Sequence, residues 1–301
     1  MIRDPLRIGL VQQSCGEDPA ANLQRSIECI AEAAALKADV VLLQELHTTR
    51  YFCQAEDPRI FDMAEKIPGP TTGRLANAAK THDVVVVGSV FERRASGLYH
   101  NTAVVFDRDG RLAGRYRKMH IPDDPGYHEK FYFTPGDQGF VPVDTSAGRL
   151  GILVCWDQWY PEAARMMALA GAEILLYPTA IGWDDNDDAD EQARQFDAWQ
   201  TIQRSHAIAN GLPLVCCNRT GSEPHPNAGA SAGIRFWGSS FIAGPQGEIL
   251  AQAPPDRDAV MVSSISPRRT EEVRRIWPFL RDRRIDAYGG LGQRFLDDDP
   301  G

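Results

Sequence analysis

The chain has 301 residues, of which 43% are hydrophobic and 24% are charged, a composition typical of globular proteins. Its 32 Lys and Arg against 41 Asp and Glu give a net charge of −9, which argues against nucleic acid or an anionic membrane as partner and suits a small cationic substrate. No apolar stretch approaches the ~20 residues of a membrane span, and the N-terminus lacks the apolar core of a signal peptide.

Strands and helices are predicted to alternate along the first half of the chain. Apolar runs rich in β-branched residues predict strands, and apolar residues at helical spacing predict amphipathic helices, the first with Asp18 as its N-cap. The predicted strands are 6–11, 38–43, 84–91, 99–107 and 111–116, and the predicted helices are 22–36 and 72–81. The stretch 117–139 has no regular pattern.

The second half of the chain repeats this alternation. The apolar run 150–154 predicts a buried strand that stops at Cys155, and Pro161 lies in the first turn of the helix that follows. The other predicted elements are the strands 140–143, 172–177, 212–217, 237–243, 248–251 and 259–265 and the helix 191–210. So many strands do not fit one open sheet, which predicts an α/β fold of two packed mixed sheets with helices outside.

Domain boundaries and cysteine usage suggest one intracellular domain with an appended arm. The composition does not change before residue 267, so we expect a single domain over 1–266. The following stretch, 267–301, is Arg-rich and then Gly- and Asp-rich, and we expect it to form a C-terminal arm or tail. The six cysteines are scattered without Cys-x-x-Cys spacing, which indicates reduced thiols in the cytoplasm.

Three predicted strand ends carry side chains suited to acyl transfer. Cys155 precedes a helix at the edge where α/β sheets bind ligands, and the helix dipole favours a thiolate with a lowered pKa. Glu45 ends a buried strand, where a poorly solvated carboxylate readily takes up a proton. Lys118 follows another strand and would hold an oxyanion. The alternatives are a structural buried thiol and two solvated charges.

Three motifs in this order resemble those of the nitrilase superfamily. They are Gln44-Glu45-Leu46, Arg117-Lys118-Met119-His120-Ile121-Pro122, and Cys155-Trp156-Asp157 followed by Tyr160-Pro161-Glu162. The resemblance covers the chain to about residue 280 and implies a four-layer αββα sandwich, a Glu45–Lys118–Cys155 triad, and neither cofactor nor metal. The resemblance also implies that the backbone N–H of Trp156 helps to hold the oxyanion and that Glu129 positions the substrate and Lys118.

The resemblance further implies a homodimer or a larger homo-oligomer. In that family the helix after the catalytic cysteine forms subunit contacts. The Arg-rich segment 268–284 is similar to an arm that packs on a partner subunit.

Further segments resemble the branch of that family that hydrolyses N-carbamoylputrescine to putrescine, CO2 and ammonia. They are 120–140, Tyr177 to Gly182 and Ser239 to Gly244. Family members that act on N-carbamoyl amino acids carry carboxylate-binding arginines at the positions of Gln158 and Trp159 here. The alternatives are an N-carbamoyl amino acid, an aliphatic amide or a nitrile as substrate, or a non-catalytic partner-binding protein on the same fold.

A cationic substrate needs an anionic partner in its cleft. We expect Asp184 to bind the ammonium end, with Asp123 as second candidate, and Trp159 and Tyr127 as further substrate-binding residues. The acidic run after Asp184 has the simpler explanation of helix capping and a solvated face.

Three other patterns are given a non-catalytic interpretation. Residues 229–233 match Gly-x-Ser-x-Gly, but a Pro-rich stretch precedes them where a nucleophile elbow needs a buried strand. His120 and His128 lack the compact spacing of a zinc site. His206 and Asn210, four residues apart on a predicted helix, suit a structural hydrogen bond.

Overall fold

The computed structural model describes residues 4–184, 186–227 and 233–296. The strands in these ranges are β1 (Leu6–Gln12), β2 (Val40–Leu43), β3 (Val85–Ala95), β4 (Leu98–Phe106), β5 (Leu112–Arg117), β6 (Val143–Thr145), β7 (Gly148–Ile152), β8 (Ile174–Pro178), β9 (Gly182–Asp184), β10 (Leu214–Cys217), β11 (Ser222–Glu223), β12 (Ile234–Phe236), β13 (Phe241–Ala243), β14 (Ile249–Gln252) and β15 (Ala259–Ile265). The helices are α1 (Pro19–Ala35), α2 (Pro70–His82), α3 (Glu129–Tyr132), α4 (Pro161–Leu169), α5 (Ala189–Asn210) and α6 (Pro267–Ile276).

The strands form two six-stranded mixed sheets. The first has the order β15-β1-β2-β3-β4-β5, and the second has the order β14-β13-β10-β8-β7-β6. In each sheet three neighbouring strands are parallel, β1-β2-β3 in the first and β7-β8-β10 in the second, and the outer strands are antiparallel. This arrangement confirms the predicted pair of mixed sheets.

Alternating side chains place each sheet between a layer of helices and the other sheet. On β2, Leu42 belongs to the same buried cluster as Ile152 and Leu176 of the second sheet, whereas its neighbour Val41 belongs to the cluster that contains Ile30 of α1. The helices α4 and α5 cover the outer face of the second sheet, where Met167 and Trp199 are buried. The predicted four-layer αββα sandwich is therefore confirmed.

Local capping explains where the helices begin and end. Asp18 accepts a hydrogen bond from the N–H of Ala20 at 2.9 Å, so the predicted N-cap of α1 is confirmed. Asp188 caps α5 in the same way, and Gly211 ends α5 in the left-handed conformation at φ 56°.

Several elements differ from the sequence prediction. The predicted strand 237–243 is reduced to β13, because Gly238 and Ser239 have φ of 52° and 51°, outside the range of a strand. The predicted strand 150–154 ends at Ile152, and α6 and the small sheet β11-β12-β9 were not predicted. The helix α6 escaped prediction because its sequence is mostly charged and has no regular apolar spacing. Only Thr270 and Val273 of this helix are buried.

Two further sequence predictions concern the Gly-x-Ser-x-Gly match and membrane-spanning segments. The Gly-x-Ser-x-Gly match lies, apart from Gly233, outside the described residues. None of the helices in the described ranges combines the length and apolarity that a bilayer crossing requires.

Candidate active site

The two sheets bring their strand ends together at one end of the sandwich. Glu45 lies two residues beyond β2, and its N–H bonds the carbonyl of Thr179, just past β8 of the other sheet, at 3.3 Å. Lys118 directly follows β5, and Glu129 begins the short helix α3. Cys155 begins a single 3-10 turn, Cys155–Trp159, shortly after β7.

Lys118 is the centre of a buried charge cluster. Its Nζ lies 2.8 Å from Oε1 of Glu45 and 2.9 and 2.7 Å from the two carboxylate oxygens of Glu129. All three side chains have no solvent exposure. Two carboxylates and one ammonium that are shielded from solvent interact far more strongly than they would at the surface. The geometry therefore fixes all three groups relative to one another.

The two carboxylate oxygens of Glu45 have different surroundings. Its Oε1 accepts hydrogen bonds from Lys118 and, at 2.6 Å, from the side-chain amide of Asn101. Its Oε2 is buried and has no hydrogen-bond partner among the described residues. An oriented carboxylate with one unengaged oxygen is equipped to accept a proton.

Cys155 lies in a strained turn that Asp157 holds in place. Cys155 has φ of 44°, a left-handed conformation that is costly for a residue other than glycine. Asp157 accepts hydrogen bonds from the N–H of Val154 at 2.9 Å, the hydroxyl of Tyr116 at 2.8 Å and the N–H of His120 at 3.0 Å. One buried carboxylate thus ties the Cys155 turn to the segment that follows Lys118.

The electrostatics of Cys155 differ from the sequence prediction. Burial and the nearby carboxylate of Glu45 raise the pKa of the Cys155 thiol well above its ordinary value, and Lys118 opposes this only in part. The predicted lowering of this pKa is therefore wrong, because burial beside Glu45 dominates and the α-helix that follows, α4, begins only at Pro161. At rest Cys155 is a thiol, which would need a base before it could act as a nucleophile.

The pKa values of Lys118 and Glu129 are shifted by burial and by the neighbouring charges of the cluster. Burial by itself would lower the pKa of Lys118, but the carboxylates of Glu129 and Glu45 outweigh burial and hold that pKa well above its ordinary value. Burial, reinforced by the charge of Glu45, raises the pKa of Glu129 to about 7, although Lys118 opposes the shift. Lys118 therefore remains an ammonium ion.

A cleft of about 720 Å³ opens onto Cys155. Of the predicted site residues, it is lined by Cys155, Trp156, Trp159, Tyr127 and Asp184. The predicted Asp123 is not among its lining residues and instead lines a neighbouring depression, with Asp184 and Tyr127 on the wall between the two.

Sequence reasoning missed several residues at this site. Tyr51 donates a hydrogen bond to Oε1 of Glu129 at 2.7 Å, and Asn101 bonds Glu45, yet neither lies in a motif or at a strand end. Asp124, Asp187 and Glu191 also line the cleft. The acidic run that holds the last two was visible in the sequence, but helix capping explains only Asp188.

Gln158 and the buried histidine have structural partners. Gln158, at one of the positions where arginine would bind a carboxylate, is fully buried and accepts a hydrogen bond from Nε1 of Trp199 at 3.0 Å. His206 bonds the hydroxyl of Tyr177 at 3.1 Å and its carbonyl accepts from Asn210, and burial lowers the pKa of His206 to about 4. Within the described part of the chain, no three His, Cys, Asp or Glu side chains are grouped to hold a metal ion.

Comparison with known proteins gives one consistent result. A family model described as carbon-nitrogen hydrolase matches residues 7–275. The chain is 42% identical to the N-carbamoylputrescine amidase of Solanum lycopersicum over 93% of both proteins. It is 37% identical to a citrullinase from Francisella tularensis, over 96% of this chain and 99% of that protein. The crystal structure of a carbon-nitrogen hydrolase from Helicobacter pylori is similar, with a TM-score of 0.94, 52% identity and coverage of 97% of this chain and 100% of that one.

Proposed function

The chain belongs to the carbon–nitrogen hydrolase family and is an amidohydrolase, and we propose that it hydrolyses N-carbamoylputrescine to putrescine, CO2 and ammonia. The observation that carries this substrate is the charge of the cleft. Among the described residues its wall has four carboxylates and one guanidinium, namely Asp124, Asp184, Asp187, Glu191 and Arg194. Such a wall stabilises a substrate that ends in an ammonium group.

The proposed reaction begins at the thiol. Glu45 takes the proton of Cys155, and the thiolate attacks the ureido carbon. Lys118 and the backbone N–H of Trp156 hold the negative charge that develops on the carbonyl oxygen. The tetrahedral intermediate collapses, one urea nitrogen leaves with the proton from Glu45, and a thioester on Cys155 remains.

Hydrolysis of the thioester uses the same groups. Glu45 takes a proton from water, the resulting hydroxide attacks the thioester carbon, and the thiolate leaves and recovers its proton. The carbamic acid that forms then loses CO2 and releases the second nitrogen as an amine. Both C–N bonds of the urea are thereby cleaved. Glu129 keeps Lys118 in place throughout, as its two short contacts to Nζ support.

We propose that Asp184 and Asp187 bind the ammonium end of the substrate. Both line the cleft, and among the described residues one carboxylate oxygen of each accepts a side-chain hydrogen bond, from Asn186 and Gln195 respectively. Trp159 and Tyr127 form apolar walls for the four methylene groups between the two ends of the substrate. Asp123, in the neighbouring depression, provides a matched control position.

Citrulline is the second candidate substrate. It equals N-carbamoylputrescine with a carboxylate added to the carbon that bears the ammonium group, and Arg194 is the cleft residue that a carboxylate would need. In this structure, however, Arg194 pairs with Glu191 at 2.8 Å, so the carboxylate of citrulline would have to compete with Glu191 for this guanidinium. This pairing favours the substrate without a carboxylate.

Steady-state rates on three ureas test the proposal. The probes are N-carbamoylputrescine, citrulline and N-butylurea, which share the ureido group and differ only in the far end. We expect kcat/KM to be highest for N-carbamoylputrescine, by about tenfold or more over each of the others, because a charge-assisted hydrogen bond contributes about 1.5–3 kcal/mol. A higher kcat/KM on citrulline would reject the proposed substrate and leave the hydrolytic chemistry intact.

We also propose that the protein forms a homodimer or larger homo-oligomer in the cytoplasm, with 267–301 as an arm against a partner subunit. Large apolar side chains are exposed on α4 and at the end of α6, among them Met166, Leu169, Ile276 and Trp277. Exposed apolar surface of this kind supports a contact with another subunit. Light scattering of the wild type and of Leu169→Lys tests this, since the substitution would reduce the measured mass, and a monomeric wild type would refute it. All six cysteines are free, as suits a reducing compartment.

A further inference from the structure

A second buried ion pair lies behind the catalytic cluster. Arg219, two residues past β10, has no solvent exposure, and its guanidinium donates to the Glu223 carboxylate at 2.6 Å. Neither residue lines the cleft, and the hydrogen bonds of both side chains go to each other and to backbone groups rather than to the side chains of Glu45, Lys118 or Cys155. A buried charge pair is stable only when further hydrogen bonds satisfy its remaining donors and acceptors. The partners in these hydrogen bonds show which part of the chain the pair restrains.

The partners of Arg219 lie on the segment that begins at the proposed base. The guanidinium donates to the carbonyls of Glu45 at 3.2 Å, Leu46 at 2.9 Å and Thr49 at 2.7 Å. Three backbone contacts within five residues fix the path of the chain directly after the Glu45 side chain. The same guanidinium lies over the ring of Phe236, 5.3 Å from its centroid, which limits its movement.

The partner of Glu223 lies at the other end of that segment. Its second carboxylate oxygen accepts the N–H of Tyr51 at 2.5 Å. The hydroxyl of Tyr51 donates to Glu129 at 2.7 Å, and Glu129 binds Lys118. The Arg219–Glu223 ion pair therefore restrains the backbone at both ends of the segment 45–51. This segment provides the carboxylate of Glu45, which binds Lys118 directly, and the hydroxyl of Tyr51, which binds Glu129.

Backbone strain shows that the segment needs this restraint. Leu46 has φ of 46°, a left-handed conformation that is unfavourable for a residue other than glycine and persists only when its surroundings enforce it. Its N–H donates to Oγ of Ser89 at 3.1 Å, and its carbonyl accepts from Arg219. Without Arg219 one of these two restraints is lost directly beside Glu45.

We propose that Arg219 and Glu223 are positioning residues for the hydrolysis. They act through the segment 45–51, Arg219 by fixing the backbone of Glu45 and Glu223 by fixing Tyr51 and, through it, Glu129. This assignment rests on the proposed role of Glu45 as the base. It does not depend on which carbamoyl compound is the substrate.

Glu223→Gln tests the assignment with little change of shape. One amide oxygen can accept from Arg219 or from Tyr51 but not from both. We expect kcat to fall by about 10- to 100-fold with KM changed by less than about threefold, since misplacing reacting groups slows the chemical step. A KM that changes by more than about threefold together with kcat, or a kcat that does not fall, would overturn the proposal. Arg219→Lys, which keeps the charge but reaches fewer carbonyls, should show the same split and serves if the first variant does not fold.

A double-mutant cycle distinguishes positioning from a purely structural role. If Glu223 acts through Tyr51, Glu223→Gln should lower kcat less than about threefold in a Tyr51→Phe background, because the hydroxyl that it places is already gone. Effects that multiply would refute the coupling.

Asp39→Asn is the matched control. Asp39 is a buried carboxylate at the opposite end of β2, bonded to Arg108 at 2.8 Å. This variant should lower the melting temperature and leave kcat unchanged. An equal fall in kcat would assign the effect of Glu223→Gln to lost stability.

A substrate-independent readout separates this proposal from the choice of substrate. Iodoacetamide alkylates Cys155 at a rate that depends on proton transfer to Glu45, and mass spectrometry of the Cys155 peptide measures that rate. We expect alkylation of Glu223→Gln to be about 10-fold slower than that of the wild type. Unchanged alkylation would overturn the positioning role, whereas a wild type that is inactive on N-carbamoylputrescine would reject only the substrate.

Discussion

Lys118 and Glu129 form a bidentate ion pair in which Nζ lies 2.9 and 2.7 Å from the two carboxylate oxygens. Because Glu45 shares the same ammonium at 2.8 Å, the cluster holds two negative charges against one positive charge with no exposure to water. The surplus negative charge has a consequence for pH, because burial and the charge of Glu45 raise the pKa of Glu129 to about 7.

The first prediction is an acid limb in the pH profile. A carboxyl group whose pKa is raised to about 7 takes up its proton as the pH falls through that value. With Glu129 neutral, Lys118 is balanced by Glu45 alone, and Glu45 then accepts the Cys155 proton less readily. We expect kcat/KM to fall as pH decreases below about 7 and to level off above it, measured from about pH 5 to about pH 9 at constant ionic strength.

The variant Glu129→Gln assigns that limb. Its amide keeps the shape of the side chain but carries no charge at any pH. We expect its kcat/KM to be low throughout and independent of pH near 7, close to the value that the wild type reaches in acid. If the variant retained the limb, another group would be responsible for it.

The second prediction concerns covalent catalysis. Cys155→Ala should fold normally, since it removes one buried sulfur, and should show no turnover of N-carbamoylputrescine. Cys155→Ser should also be inactive, because a serine hydroxyl is far harder for a carboxylate to deprotonate than a thiol. Circular dichroism and an ammonia-release assay check both variants. Appreciable residual turnover in Cys155→Ala would contradict the thioester scheme.

Glu45, Lys118 and Cys155 were predictable because of where strands end. Each of them follows a strand. The strands β2 and β7 belong to the parallel parts of their sheets, and β5, although antiparallel to β4, runs in the same direction as β2, so that their carboxyl ends lie at one edge of the fold. Tyr51 was not predictable, because it lies in no strand or helix and its role depends on the buried contact with Glu129, which only tertiary folding creates.

The layered fold was predictable for a similar reason, and the errors are local. Apolar periodicity set the strands and helices, and packing of two sheets followed from their number. Gly238 and Ser239 shorten a predicted strand through their backbone conformation, which side-chain hydrophobicity does not encode. For Cys155 an expected helix N-terminus suggested a lowered pKa, but α4 begins only at Pro161, and complete burial beside a carboxylate raises the pKa instead.

The third prediction concerns Asp157, which holds the strained turn of Cys155. In Asp157→Asn one amide oxygen replaces two acceptors, and the amide NH2 faces either the N–H of Val154 and the hydroxyl of Tyr116 or the N–H of His120. We expect unfolding free energy to fall by about 2–4 kcal/mol and kcat by about 100-fold, since the nucleophile is displaced. Urea denaturation and steady-state rates measure the two effects.

Tyr116→Phe is the control for that variant. It removes one hydrogen bond to Asp157 and keeps the bond from the Val154 N–H, which restrains the Cys155 turn. Stability should fall by about 1 kcal/mol with kcat close to that of the wild type. Equal losses of kcat in both variants would show that Asp157 acts on stability rather than on the position of Cys155.

The fourth prediction separates binding of the ammonium end from catalysis. Asp184→Asn and Asp187→Asn each remove a negative charge from the cleft wall while leaving Cys155 and its partners untouched. We expect KM for N-carbamoylputrescine to rise by about 10-fold or more, since a hydrogen bond to a charged group contributes about 1.5–3 kcal/mol. For N-butylurea, which has no ammonium group, kcat/KM should change by less than about twofold. Asp123→Asn, in the neighbouring depression, should alter neither substrate. If both ureas were affected equally, or if Asp123→Asn raised KM as much, these carboxylates would not be the partners of the ammonium group.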